Sequence, residues 1–187
     1  MENSTLDQDF IGKSPGRPVR YADFGKRTGA ALVDFVVLAL PIGLNMYNMF
    51  SWKSLPLMLL LTLISMVYKP YMEWKYGQTF GKMAANIAVT DLEFGMPSLK
   101  AILLRNSLHL ASAVLNLIGS VMVFSAPGFE ELGTFQEISL FTRTNNPLSS
   151  YANIPAGAVF LGYFAMFGSQ IKQCFHDMIG RTVVIER

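Results

Sequence analysis

The chain has 187 residues and a net charge of +2, with 51% hydrophobic and only 15% charged residues. Soluble domains carry about 25% charged residues, so this balance excludes an ordinary soluble domain and points to an integral membrane protein. The weak net charge and the lack of basic clusters with interleaved aromatics exclude nucleic acid as a partner, and the single cysteine, Cys174, excludes an intrachain disulfide framework.

Residues 1–20 are polar, carry charges of both signs and hold Pro15 and Pro18. No short apolar core with a small-residue cleavage site is present, so this is no signal peptide. It is expected to be a flexible cytoplasmic tail, followed by an interfacial segment at 21–26.

The first predicted span covers 29–49. Its only charged residue is Asp34, set within Ala-Leu-Val-Asp-Phe-Val-Val. About 20 apolar residues cross a bilayer, and a carboxylate inside such a run is costly enough to be a functional candidate by default. Arg27, Asp34, Pro41, Asn45 and Asn48 fall in one angular sector of a 3.6-residue helix. The second span covers 55–74, with Pro56 in its first turn and Trp52, Tyr68, Tyr71, Trp74 and Tyr76 as interfacial aromatics.

A polar connection follows. Gly77 to Lys82 superficially looks like a phosphate-binding loop, but three residues separate its glycines and Met83 stands where Ser or Thr belongs. Nucleotide binding is therefore not expected. Residues 87–91 and 182–186 are β-prone and are predicted to pair as a small cytoplasmic ribbon resting on Leu99, Ile102 and Leu103. The third span covers 104–125 and carries a second polar stripe at i, i+4, i+7, i+11, i+15: Arg105, His109, Ser112, Asn116 and Ser120. Two such stripes are expected to face each other, as glue between helices or as the wall of a hydrated cavity. An outer loop is predicted over 126–153. The fourth span covers 154–173 and is glycine-rich, with Gly157, Gly162 and Gly168.

Of the 15 Lys and Arg residues, all but Lys53 and Arg143 fall on one side of a four-span topology. By the positive-inside rule both termini are cytoplasmic, and a bacterial inner (plasma) membrane is the expected location. The fold class is an all-α membrane protein: a four-helix transmembrane bundle with a small cytoplasmic β-ribbon, the transmembrane domain spanning 21–187.

Several motifs resemble those of the RDD family of membrane proteins, named for one arginine and two aspartates. Arg27 with Asp34 seven residues later matches the first helix. Tyr68 and Gly77-Gln-Thr79-Phe-Gly81-Lys82 match the block after the second, and Val89, Gly95 and Arg105 continue it. His176-Asp177, followed by Thr182 and Val184, matches the closing signature. The loop at 126–153 is longer than the family core.

The resemblance implies a multi-pass protein, either a transporter, in some members exchanging a monovalent cation for a proton, or an accessory subunit of a larger assembly. Arg27, Asp34, Arg105, His109 and Asp177 are the expected ion or salt-bridge network. Gly77, Thr79, Gly81, Lys82, His176 and Thr182 complete the signature. Asp34 is expected to pair with Arg27, Arg105 or a lysine, and Asp177 to lie near Lys82 or Arg105. No catalytic residue, metal or cofactor is expected, because His109, His176 and Asp177 lack a metal-binding spacing such as His-Glu-x-x-His. The expected partners are the lipid bilayer, a monovalent cation or proton, and a second copy or a larger membrane complex.

Overall fold

The computed structural model describes residues 19–168 and 171–187. Most of the expected N-terminal tail, and two residues of the fourth predicted span, therefore lie outside the described residues. Among the described residues the chain is mostly helical, with three helices long and apolar enough to cross a membrane and a two-stranded antiparallel sheet.

Helix α1 runs Phe24–Tyr47 and continues into a π-helical turn, Asn48–Trp52, closed by Lys53 in the left-handed region. It starts earlier than the predicted span because Asp23 caps it: its Oδ1 accepts from Lys26 N at 2.8 Å. Pro41 lies inside it. Helix α2 runs Leu55–Tyr76 and ends at Gly77, whose φ of 66° is the left-handed C-terminal stop that glycine adopts without strain. Leu32, Phe35, Val36 and Leu40 on α1 are each more than 60% exposed. In water such a surface would be an aggregation hazard; in a bilayer it is the lipid-facing side.

A short helix α3, Phe80–Ala84, is capped by Thr79, whose hydroxyl accepts from Lys82 N. Strand β1 is Ile87–Asp91. Asp91 Oδ1 then accepts from the amides of Glu93 and Gly95, turning the chain. Helix α4, Leu99–Arg105, is capped by Ser98, and α5 is Ser107–Phe124. The span predicted over 104–125 is thus α5, with its first two residues closing α4. Asn106 breaks them, its amide donating to Ile102 O and to Glu73.

The predicted outer loop at 126–153 is largely helical. A 3₁₀ turn, Phe129–Glu131, leads to α6, Phe135–Asn145. Thr134 and Glu137 form a capping box at its start. Helix α7 runs Ser149–Gly162 and passes into a 3₁₀ turn, Tyr163–Gly168, so the fourth predicted span is not one α-helix. Of its glycines, Gly162 meets a close neighbour: a Cβ there would lie 2.9 Å from Phe175 Cβ, whereas Gly157 and Gly168 have open space. Helix α8, Phe175–Gly180, and strand β2, Thr182–Glu186, end the chain.

The chain divides into two compact units. The first comprises the described residues up to Val37, 69–107 and 159–187; the second comprises 38–68 and 108–158. In the first, β1 and β2 pair with Val89 opposite Val184. Ala22 N donates to Val184 O and Glu186 N to Arg20 O, so residues 20–22 extend along the other edge of β2. Ala22, Ala30, Ile87, Val89, Ile102 and Val184 form the core beneath the ribbon. Ile102 is fully buried there as expected, but Leu99 and Leu103 are exposed, because they lie off the face of α4 that meets the sheet.

Candidate functional site

In the first unit, buried charges form a chain. Arg27 Nη1 donates to Asp177 Oδ2 at 2.6 Å, its Nη2 to Lys172 O at 2.7 Å, and its Nε to Ala22 O at 3.2 Å. Arg105 Nη1 donates to the other Asp177 oxygen and to Thr182 Oγ1, and its Nε lies 3.3 Å from Glu73 Oε2. Glu73 in turn accepts from Lys82 Nζ and Asn106 Nδ2. Asp177 and Glu73 are fully buried, and Arg27, Arg105 and Lys82 are nearly so. Buried charges persist only when paired and hydrogen-bonded, and here three cations share two carboxylates.

Local sequence explains the placement. Asp177 is the third residue of α8, and its carboxylate also accepts from Cys174 N at 3.1 Å, as a capping acid does. Gly180 brings α8 against α4: a Cβ there would sit 2.7 Å from Arg105 Cβ and 2.8 Å from Ala101 O. Any larger residue would push Arg105 away from Asp177.

The electrostatics follow from burial and neighbours. Burial alone would raise the Asp177 pKa, but the Arg105 and Arg27 guanidiniums outweigh it and hold the carboxyl well below its ordinary range. Burial pushes His176 down to about 3, helped by the Arg105 charge. The His176 Nε2 contact with Asp177 Oδ1, at 3.3 Å, is therefore between a neutral ring and a carboxylate. Burial lowers Lys82 to about 8 although Glu73 pulls it upward. Burial raises the Cys174 thiol to about 11. Cys174, His176 and Asp177 offer donor atoms within 4.8 Å of one another. A metal ion there would have to displace two guanidiniums from the carboxylate and deprotonate a reluctant thiol.

Asp34 reaches the start of α3. Thr79 Oγ1 donates to its Oδ2 at 2.6 Å and Gly81 N to its Oδ1 at 2.8 Å. The carboxylate thus fastens α1 to the start of α3, while Arg27 and Arg105 converge on Asp177. Arg27 lies two turns before Asp34 on the helix but takes Asp177 and two carbonyls from the C-terminal segment and chain entry, which satisfy its fork. Gly81 is required at this joint: a Cβ would lie 2.8 Å from the Ala30 carbonyl carbon and 2.9 Å from Asp34 Cγ.

The remaining signature residues are placed as follows. Gly77 ends α2 and its carbonyl accepts from Val89 N at 2.8 Å. Lys82 pairs with Glu73 rather than Asp177. Thr182 bonds Arg105. His109 is half-buried on α5, and no role for it follows from this geometry. Sequence reasoning missed Glu73, Asn106, Gln78 and Gln173. Gln78 donates to Ile87 O and Gln173 to Thr182 O, tying both strands to the helices. Glu73 reads as an interfacial residue among aromatics. Yet it is the only acidic residue between Asp34 and Asp91, and the basic Lys82 and Arg105 needed a partner.

In the second unit, a cavity of about 320 Å³ carries polar side chains from both stripes. Asn45 on α1 and Asn116 and Ser120 on α5 line it, as does Thr62 on α2; Thr142 and Asn146 lie at the end of α6. Met46, Met49 and Met58 supply much of the apolar wall. The two stripes do share one space here, in their uncharged parts.

Long apolar helices joined by a buried ionic junction define an integral, multi-pass membrane protein. Within that class, residues 21–133 match the family model described as the RDD family, and the chain belongs to that family. No curated protein and no solved structure matches it.

Proposed function

We propose that the protein moves a small ion or polar solute across the bilayer, as a four-span bundle with both termini on the cytoplasmic side of a bacterial inner membrane. The observation that carries this reading is the polar cavity formed by α1, α2, α5 and α6. Lipid cannot satisfy polar groups on membrane helices, so polar side chains gathered around open space favour a passing solute over packing alone. The fourth crossing would be 149–168: 14 α-helical and 6 3₁₀ residues rise about 33 Å together, against a core of about 30 Å. Four spans are few for a carrier, and a homodimer would supply further helices. Cation–proton exchange at Asp34 would require the carboxylate to release Thr79 and Gly81 first. Proteoliposomes test this reading by flux of small solutes, and of Na+ or K+ with a trapped pH dye. Flux above protein-free vesicles, reduced several-fold by Asn116→Leu, is the expected result. No flux of any kind contradicts it.

One observation favours a second reading, an accessory subunit of a membrane complex. Arg27, Arg105 and Asp177 are spent on one another and on the fold. A stoichiometric partner retained in mild detergent, together with absent flux, would support this alternative.

A further inference from the structure

We infer that α6 lies in the membrane–water interface and holds a phospholipid by its phosphate, with Arg143 as the anchoring cation. The inference is independent of the transport reading: it concerns a lipid-binding surface, not a path across the bilayer. Two contacts fix the level of α6. At its start, Phe135 stacks on Phe50, in the turn that ends α1, with ring centroids 6.2 Å apart. On its inner side, Phe141 meets Phe129, whose ring lies 4.7 Å from that of Phe124, the last residue of α5. Trp52, edge-on to Tyr47 and 55% exposed, is the kind of amphipathic ring that membrane interfaces favour. Helix α6 therefore sits where two membrane helices end.

Its apolar residues do not all turn inward. Ile138 is buried, whereas Phe135 and Leu140 are each 69% exposed. At about 100° per residue, Leu140 lies about 160° around the helix from Ile138 and points away from the fold. Phe135, Gln136, Ser139, Leu140 and Arg143 line a groove of about 220 Å³. Arg143 is its one charge. The side chains of Gln136, Ser139 and Arg143 make no hydrogen bond or ion pair among the described residues. The nearby charges are already used: Glu137 accepts from the amides of Gly133 and Thr134, and Lys53 donates to the carbonyls of Glu130 and Leu132. A guanidinium, an amide and a hydroxyl around one groove suit phosphate oxygens, which a guanidinium grips as a fork. Phe135 and Leu140 flank those donors with carbon, as the glycerol and upper acyl chain of a lipid require. A free phosphate would use the donors and leave both apolar side chains in water. An interfacial helix buries such side chains at the boundary of headgroups and acyl chains, so a phospholipid satisfies both sets.

The test places a fluorophore at Thr144→Cys in a Cys174→Ser background of the full chain. Thr144 is exposed one turn beyond Leu140 and lines no part of the groove, so the site stays intact. The protein is held in nanodiscs of a phosphate-free betaine lipid. Two quenching lipids are titrated in, phosphatidylglycerol and diacylglycerol, each with the same nitroxide-bearing acyl chain. Phosphatidylglycerol is expected to quench at about five-fold lower mole fraction, the worth of one basic side chain at a lipid surface. Arg143→Gln is expected to erase that difference and Arg143→Lys to keep most of it. Free phosphate in the buffer is expected to leave the quenching unchanged. Should Arg143→Gln not fold, Gln136→Leu with Ser139→Ala removes the two neutral donors and should reduce the same difference. No quenching by either lipid would place α6 in water or under a partner protein and overturn the inference. Equal quenching by the two lipids, a difference that survives these substitutions, or displacement of phosphatidylglycerol by free phosphate would each overturn it too.

Discussion

At the scale of single residues, the family's charges behave as joints. Asp177 binds two arginines from separate parts of the chain, and Asp34 binds a hydroxyl and an amide at the start of α3. His176 stands beside this junction and gives it a pH dependence. Its folded-state pKa, about 3, lies below the ordinary value of 6.5. The unfolded chain therefore binds the extra proton between those values, and stability is complete above pH 6.5 and lost as pH falls toward 3. At pH 5 the loss attributable to His176 is about 2 kcal/mol, or about 4–8 °C in Tm for a chain of this size. Thermal unfolding at pH 7.5 and 5 measures it, and His176→Asn is expected to remove most of the difference. An equal drop in that variant would assign the acid sensitivity elsewhere. Asp177 adds to the loss only at lower pH, since its depressed carboxyl begins to matter below the unfolded value of 3.8.

At the scale of elements, the ribbon is the part the sequence specified most tightly. Five-residue segments rich in β-branched side chains at 87–91 and 182–186 predicted a pair, and the strands fall there residue for residue. Val89 N donates outward to Gly77 O, and Val184 O accepts from Ala22 N. Val89 and Val184 are therefore a non-hydrogen-bonded pair, whose side chains approach more closely than those of a bonded pair. Cysteines at both positions in a Cys174→Ser background should oxidise to an intrachain disulfide, seen as a mobility shift reversed by reductant. Cysteines at Val89 and Val183 point to opposite faces and should not. The reverse order would contradict the register. Other elements were less legible for definable reasons. Asn106 breaks a helix through a bond to Glu73, 33 residues away, which no local pattern announces. The capping box of α6 is local and was readable in Thr134-x-x-Glu137, but the polar composition of 126–153 masked it. Asp34 was legible as a carboxylate within an apolar helix, and it is half-buried there. Its partners were not, because a hydroxyl and an amide leave no charge pattern to match.

At the scale of the whole molecule, composition and run length were enough to indicate a membrane protein, and the family match confirms that class. The proposed topology is tested with an impermeant maleimide on intact cells. A cysteine at Thr134, exposed at the start of α6, should react from outside, and one at Lys100, exposed on α4, should not. Lys100 is a better probe than Lys82, which is buried against Glu73. The central claim is that the signature charges interlock the fold. Its most direct measurement is a double-mutant cycle on Arg27 and Asp177, by unfolding in nanodiscs of Arg27→Met, Asp177→Asn and the double variant. Each single change should cost up to about 3–5 kcal/mol, because it takes one partner from a buried charge that keeps its others, Arg105 for Asp177 and two carbonyls for Arg27. The double variant should fall short of their sum by about 0.5–3 kcal/mol, the range for residues in direct contact. Costs that simply add, or single variants as stable as the parent, would contradict the interlock.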